Sequence, residues 1–86
     1  YPNPFNPTTK IKFQIPLNKG GERGLSFVTL KIYDLLGREV ATLVNQQLKP
    51  GTYEVEFNGT NYPSGVYFYR LTTNNNTATK KFVLVK

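Results

Sequence analysis

The chain has 86 residues with neither Cys nor His, which excludes disulfide bonds and Cys/His metal sites, so stability must come from apolar packing. Six Tyr and six Phe make up 14% of the residues and supply large rings for that packing. The net charge of +6 lies mostly on single lysines between apolar residues, which favours solvated strand faces over a nucleic-acid interface. No apolar stretch approaches the roughly 20 residues of a membrane helix, so we expect no membrane insertion.

The sequence opens with a proline-rich segment. Tyr1–Pro7 contains three prolines, which lack a backbone N–H and cannot sit inside a sheet. We therefore predict a single domain over residues 1–86, in which residues 1–8 form an extended segment and residues 9–86 form a β-sandwich.

Alternating polar and apolar residues predict two strands in the next part of the chain. The first strand covers Lys10–Ile15, and the polar loop Asn18–Gly24 separates it from the second, which ends at Asp34. The residues expected to face inward are Ile11, Phe13 and Ile15 in the first strand and Val28, Leu30 and Ile32 in the second.

A tight turn and an irregular strand follow. Asp34–Gly37 is typical of a turn in which the Asp34 carboxylate accepts hydrogen bonds from nearby N–H groups and Gly37 takes a positive φ. The apolar residues of Glu39–Val44 have a helix-like spacing, but the segment is short and rich in β-branched residues. We therefore predict a strand there, one that can accommodate a bulge.

Three more strands are predicted in the rest of the sequence. Turns at Lys49–Gly51 and Asn74–Asn76, and a longer connection from Asn58 to Gly65, separate them. The residues expected to face inward are Tyr53, Val55 and Phe57, then Tyr67, Tyr69 and Leu71, and finally Phe82 and Leu84 in a strand at Lys80–Lys86. Short strands with regular turns and no helical pattern predict an all-β fold, an immunoglobulin-like antiparallel β-sandwich of six to seven strands.

The residue types offer little for catalysis. Nucleophilic catalysis needs an activated side chain beside a base, and the usual Cys and His are absent. Glu54 and Glu56 share one face of a strand, and paired carboxylates can transfer protons or bind a cation. Without a third ligand they are better explained as a solvent face opposite lysines of a neighbouring strand. We therefore expect a protein that is not an enzyme, without catalytic residues, metal or cofactor.

Three other features have a structural or modification interpretation. Leu35 and Leu36 are apolar residues in a turn, and we predict that one folds back under the sheet while the other is exposed. Tyr67 begins a late strand, where sandwich domains place a tyrosine corner whose hydroxyl binds nearby backbone. Sequons at Asn58 and Asn75 fall in predicted loops, where a glycan could be attached.

Five segments of the chain form a recognisable series, which is, in order, Tyr1–Thr9, Lys31–Val44, Pro50–Tyr53, Ser64–Leu71 and Lys80–Lys86. Through these segments the chain resembles, over essentially its whole length, the type A C-terminal sorting domain of the type IX secretion system. The loop Asn18–Gly24 is longer than the family usually shows, and Phe82 stands where Met or Leu is common. A similar sandwich occurs in flagellar hook-capping proteins, which lack the opening Pro/Asn motif.

The resemblance implies a non-catalytic secretion signal that follows an N-terminally fused cargo. The cargo would pass through the periplasm and outer membrane of a Gram-negative bacterium to the cell surface or medium. The partners implied are the outer-membrane translocon, a barrel-type shuttle protein and a cell-surface sortase. Nucleic acid is not an expected partner.

The resemblance also assigns roles to residues by motif match. The N-terminal signature would be Pro2, Asn3, Pro4, Phe5, Asn6 and Pro7, and the turn glycines would be Gly37, Gly51 and Gly65. The terminal signal would be Lys80, Lys81, Phe82, Val83, Leu84, Val85 and Lys86. Because an edge strand is a template for pairing with another chain, we predict that Thr79–Lys86 supplies the receptor contact.

Two other functions remain open at the level of sequence. A cell-surface structural module could anchor its protein or assemble into a filament by edge-strand pairing. A carbohydrate-binding accessory domain would need a planar row of exposed aromatic residues. Without Trp, that row would have to come from Tyr33, Tyr62 and Phe68, although outward aromatic residues of strands more often pack across neighbouring strands.

Overall fold

A computed structural model describes residues 8–17, 24–74 and 76–85. The predicted signature Pro2–Pro7, most of the loop Asn18–Gly24, and the single residues Asn75 and Lys86 lie outside the described residues.

The described residues form six strands in two antiparallel sheets, which confirms the all-β sandwich. The strands are β1 (Thr8–Ile15), β2 (Ser26–Asp34), β3 (Glu39–Leu48), β4 (Gly51–Asn58), β5 (Gly65–Thr72) and β6 (Thr77–Leu84). One sheet pairs β1 with β4, and the other has the order β3-β2-β5-β6. The hairpins β2–β3 and β5–β6 therefore lie side by side in one sheet, and β1 and β4 form the second layer of the sandwich.

The core lies between the two sheets and follows the alternation of the sequence. Side chains spaced two apart point to the same face of a strand, and β1 and β2 accordingly bury every second residue along most of their length. The buried apolar residues are Ile11, Phe13 and Ile15 of β1, Val28, Leu30 and Ile32 of β2, Val44 of β3, Phe57 of β4, Tyr67 of β5 and Leu84 of β6. The predicted inward faces of β1 and β2 are confirmed, whereas β4 and β5 bury only one residue each and leave the other inward residues half-buried.

Strand β3 is bulged twice, which explains its helix-like spacing. Leu30 pairs with Val44 and Lys31 with Thr42, so Leu43 is an extra residue between them. A second shift between Ile32 and Tyr33 leaves Val40 as another. A bulge turns successive side chains toward the same side of a sheet, and Val40, Leu43 and Val44 all belong to the core or pack against it. The strand continues to Leu48, beyond the predicted end, where it pairs with the first residues of β2.

Strand β6 begins earlier than predicted, at Thr77, and ends at Leu84. The Thr73 N–H donates to the Asn76 carbonyl at 2.8 Å, which closes the turn and lets Thr77 pair with Thr72 at once. The first residues of β6 are all exposed, so their burial has no alternation for sequence reasoning to detect. β1 likewise begins at Thr8, two residues before its predicted start at Lys10.

Candidate functional site: the terminal edge of the four-stranded sheet

β6 is the outermost strand of the four-stranded sheet, and we call β6 together with Val85 the terminal edge. β6 pairs with β5 from Thr72–Thr77 to Gly65–Leu84. Within the described ranges, no strand pairs with its other side. Alternate N–H and C=O groups along β6 therefore point away from the sheet, where an added strand could bind them.

The inner face of the terminal edge is anchored in the core by Phe82 and Leu84. Leu84 is 2% exposed. The half-buried Phe82 ring lies 5.9 Å from the Tyr67 ring, 6.0 Å from the Phe57 ring and 6.1 Å from the Tyr69 ring, measured between centroids. These contacts hold the last part of β6 against the core.

The remaining predicted signal residues that the structure describes on the terminal edge face solvent. Val83 and Val85 are each 59% exposed, and Lys80 and Lys81 are exposed as well. Lys81 lies opposite Phe68 on the outer face of the sheet, whereas Lys80 lies opposite Tyr69. The edge thus combines open backbone groups, two cations and two exposed apolar side chains.

Gly59 fixes the end of β6, a role that sequence reasoning did not assign. A Cβ at this position would lie 2.6 Å from both Leu84 Cδ1 and Cδ2 and 3.1 Å from Cγ. The buried Leu84 side chain therefore packs directly on the Gly59 backbone. The Asn58-Gly59 dipeptide signals a turn, and only the tertiary structure shows that the glycine is needed for close approach.

The turn after β2 is held by Asp34, as predicted. Its carboxylate Oδ1 accepts hydrogen bonds from the N–H groups of Leu36 (3.0 Å) and Arg38 (2.9 Å), and Oδ2 accepts one from Arg38 Nε at 2.8 Å. The backbone N–H of Arg38 is the main cause that lowers the pKa of Asp34 below its usual range, with the guanidinium adding to it. Gly37 has a φ of +85°, which is costly for residues with a Cβ, so the turn favours glycine here.

Leu35 and Leu36 are both exposed, at 66% and 77%, so the prediction that one folds under the sheet is wrong. The hydrogen bonds to Asp34 shape the turn so that both side chains project outward. They line one side of a groove of about 510 Å³, and the segment from Tyr62 to Tyr67 lines the other.

The Tyr67 hydroxyl donates to the Pro63 carbonyl at 2.7 Å, four residues upstream, which is the geometry of a tyrosine corner. Two further tyrosines make similar bonds that the sequence did not indicate. The Tyr53 hydroxyl donates to the Lys49 carbonyl at 2.6 Å and the Tyr62 hydroxyl to the Val40 carbonyl at 2.9 Å. The turn glycines Gly51 and Gly65 are the first residues of β4 and β5, the strands that carry Tyr53 and Tyr67.

Replacing Tyr67 by Phe removes the hydroxyl and leaves the Pro63 carbonyl without this donor. The hydrogen bond is partly buried, and we expect the free energy of unfolding to fall by about 0.5–1.5 kcal/mol. The matched control is Tyr53→Phe. The hydrogen bond that it loses, to the Lys49 carbonyl, is exposed, so the control should lose less stability. Urea denaturation of both variants checks the prediction, and equal losses would contradict it.

The aromatic residues considered for carbohydrate binding do not form one exposed row. The Tyr62 ring packs on Phe57 at 5.4 Å, and its hydroxyl donates to the Val40 carbonyl. Tyr33 and Phe68 lie opposite each other on the outer face, where Arg70 covers the Tyr33 ring at 4.8 Å. The three rings are therefore divided between Tyr62, which packs on Phe57, and the Tyr33–Phe68 pair on the outer face.

The carboxylates of β4 and β3 lie beside cations. Glu54 and Glu56 are opposite Lys12 and Lys10 of β1, as the solvent-face interpretation predicts. Glu39 Oε1 lies 3.3 Å from Lys31 Nζ. The Thr42 hydroxyl, which donates to Glu39 Oε2 at 3.0 Å, and then Lys31 lower the pKa of Glu39.

The sequon residue Asn58 is the last residue of β4 rather than a loop residue. Its side-chain oxygen accepts hydrogen bonds from the Thr60 N–H at 3.0 Å and from the Thr60 hydroxyl at 2.5 Å. The side chain therefore shapes the turn toward Gly59. The other sequon, at Asn75, lies outside the described residues.

In the described part of the chain, β6 is a cationic edge strand of a β-sandwich, unpaired on one side. The described residues contain no apolar helix of membrane-spanning length. The sequence model of the family described as "Secretion system C-terminal sorting domain" matches residues 1–86. The chain belongs to this family, whose members act in type IX secretion and are generally non-catalytic. No curated protein and no solved structure matches the chain significantly.

Proposed function

We propose that this chain is the C-terminal address of a larger exported protein and that the terminal edge is the part a receptor binds. The cargo would precede Tyr1 and pass through the outer-membrane translocon of the type IX system to the cell surface or medium. A barrel-type shuttle protein would receive the domain, and a cell-surface sortase would act on it afterwards. The family match over residues 1–86 is the observation that carries this proposal.

The terminal edge suits a receptor contact for a physical reason. A receptor strand added to β6 would gain backbone hydrogen bonds without any rearrangement of the core, because Phe82 and Leu84 already hold β6 in place. The exposed Val83 and Val85 side chains would add apolar contacts to these backbone hydrogen bonds.

The proposal is tested by fusing residues 1–86 to an inert reporter protein in a bacterium that has the secretion system. We expect the reporter at the cell surface or in the medium. Reporter that stays in the periplasm would show that the chain is not a sufficient address.

The role of the terminal edge needs a variant that keeps the fold. Deleting Val83–Lys86 removes the buried Leu84, so a loss of export would also follow from unfolding. Val83→Ser/Val85→Ser changes only exposed side chains, and we expect it to reduce export several-fold. The matched control is Leu17→Ser/Leu25→Ser, which alters two apolar residues, each 48% exposed; Leu17 lies near the β5–β6 turn, at the opposite end of β6 from Val83 and Val85. Equal export of both variants would contradict the role of the edge.

A further inference from the structure

The carboxylates of the described residues lie beside cations at positions away from the terminal edge. Each of the four acidic residues in the described ranges lies beside a Lys or Arg, either in a salt bridge or directly across the sheet. These pairs are Asp34 with Arg38, Glu39 with Lys31, Glu54 with Lys12 and Glu56 with Lys10. The acidic groups therefore balance positive charge on β1 to β4, and they leave the positive charge of β5 and β6 unbalanced.

Three cations of β5 and β6 have no such neighbour. Lys80 and Lys81 lie opposite aromatic residues, and Arg70 lies opposite Thr79. No acidic residue of the described ranges is opposite them or within salt-bridge distance of them. Positive charge thus accumulates at the same sheet edge whose backbone groups are open in the described part of the chain.

We propose that the terminal edge binds an acidic, extended segment of another protein, which pairs with β6 as an additional strand. This inference rests on the proposed function, because it names the chemistry of the receptor segment. Paired strands hold opposite side chains about 4.5–5.5 Å apart at Cβ, so carboxylates on the added strand would reach the lysines. Carboxylates here would form the ion pairs that the described part of the fold does not provide.

The two lysines also define how the acidic residues must be spaced. Successive residues of a strand point to opposite faces, so Lys80 and Lys81 present one charge on each side of the edge. On the outer face, Lys81 is followed by Val83 and then Val85, both exposed. The best-fitting segment therefore carries adjacent acidic residues opposite the lysines and apolar residues opposite the valines.

A second copy of this chain fits the edge less well. Pairing β6 with β6 of another molecule would bring the lysines of both copies close together, and like charges across strands are destabilising. Pairing β6 with β4 of another molecule would need Glu54 and Glu56, which already lie opposite Lys12 and Lys10. Charge complementarity therefore favours an acidic partner.

A series of charge variants in the exported reporter tests the proposal in cells. We expect Lys80→Arg/Lys81→Arg to export like the original domain, and Lys80→Glu/Lys81→Glu to reduce export about tenfold or more. Lys49→Glu, a charge reversal at an exposed turn, is the control and should leave export unchanged. Thermal unfolding of each variant confirms that the fold is retained.

The same variants allow a binding measurement with defined probes. A short peptide with two adjacent Glu residues and with Val at alternate positions beside them is titrated into the 86-residue chain, and amide NMR shifts locate the binding site. We expect shifts along β6, at least tenfold weaker binding to Lys80→Glu/Lys81→Glu, and weaker binding as salt rises. A matched Lys/Val peptide should not bind.

Each outcome separates this inference from the proposed function. Normal export and equal peptide binding by the Glu variant would overturn the acidic partner while leaving the secretion role in place. Retention of the original fusion in the periplasm would overturn the secretion role itself. Larger species of the isolated chain in size-exclusion chromatography, lost in the Glu variant, would show that a second copy occupies the edge and would overturn the proposal.

Discussion

Replacement of Phe57 by Ala is expected to lower the free energy of unfolding by about 3–5 kcal/mol. Phe57 is 2% exposed and lies on β4, at the interface between the two sheets. Its ring centroid lies 5.4 Å from that of Tyr62, 6.0 Å from Phe82 and 6.5 Å from Tyr67. Truncation therefore removes contacts of β4 with β5, β6 and the connection between the sheets, and it leaves a cavity.

The size of the domain makes this loss severe. A chain of 86 residues has a total stability of about 4–13 kcal/mol at the usual values per residue. We therefore expect the variant to be close to unfolding at 37 °C, which urea denaturation followed by circular dichroism measures. The matched control is Phe27→Ala, because Phe27 is 48% exposed and should lose less than about 1 kcal/mol. Similar losses at the two positions would contradict the proposed core.

Replacement of Gly59 by Ala is expected to lower the free energy of unfolding by about 1–3 kcal/mol. The new methyl group would overlap the Leu84 side chain at 2.6 Å, and Leu84 is too buried to move aside. The end of β6 must then shift away from β4. Urea denaturation measures the loss, and amide NMR shifts should be largest around Leu84.

A double-mutant cycle isolates the contact between Gly59 and Leu84. Leu84→Ala alone should cost about 2–5 kcal/mol, but it also removes the atoms that the methyl group introduced by Gly59→Ala would meet. The double variant should therefore lose at least about 1 kcal/mol less than the sum of the single variants. Additive losses would mean that the two positions are not in contact.

The fold could be predicted from the sequence where burial alternates along a strand. Ile11, Phe13 and Ile15 are spaced two apart, and a pleated strand converts that spacing directly into one buried face. The spacing of Val40, Leu43 and Val44 indicated that β3 could accommodate a bulge. It did not locate the two bulges, because the position of a bulge depends on pairing with β2.

Other features depend on tertiary contacts that no local pattern encodes. The contact between Gly59 and Leu84 joins residues from distant parts of the chain. One of Leu35 and Leu36 was expected to fold under the sheet because both are apolar, but the hydrogen bonds of Asp34 determine how the turn projects. For the candidate site, sequence indicated the terminal residues, whereas the open side of β6 and its uncompensated charge required the sheet order.

The start of β1 and the end of β6 lie at the same end of the sandwich. Thr8 pairs with Asn58, and the adjacent Gly59 contacts Leu84. A force that pulls these two points apart would open the β1–β4 and β5–β6 ladders from their ends, breaking hydrogen bonds one after another rather than all at once. We therefore expect the sandwich to unzip under a modest mechanical load applied between Thr8 and Leu84.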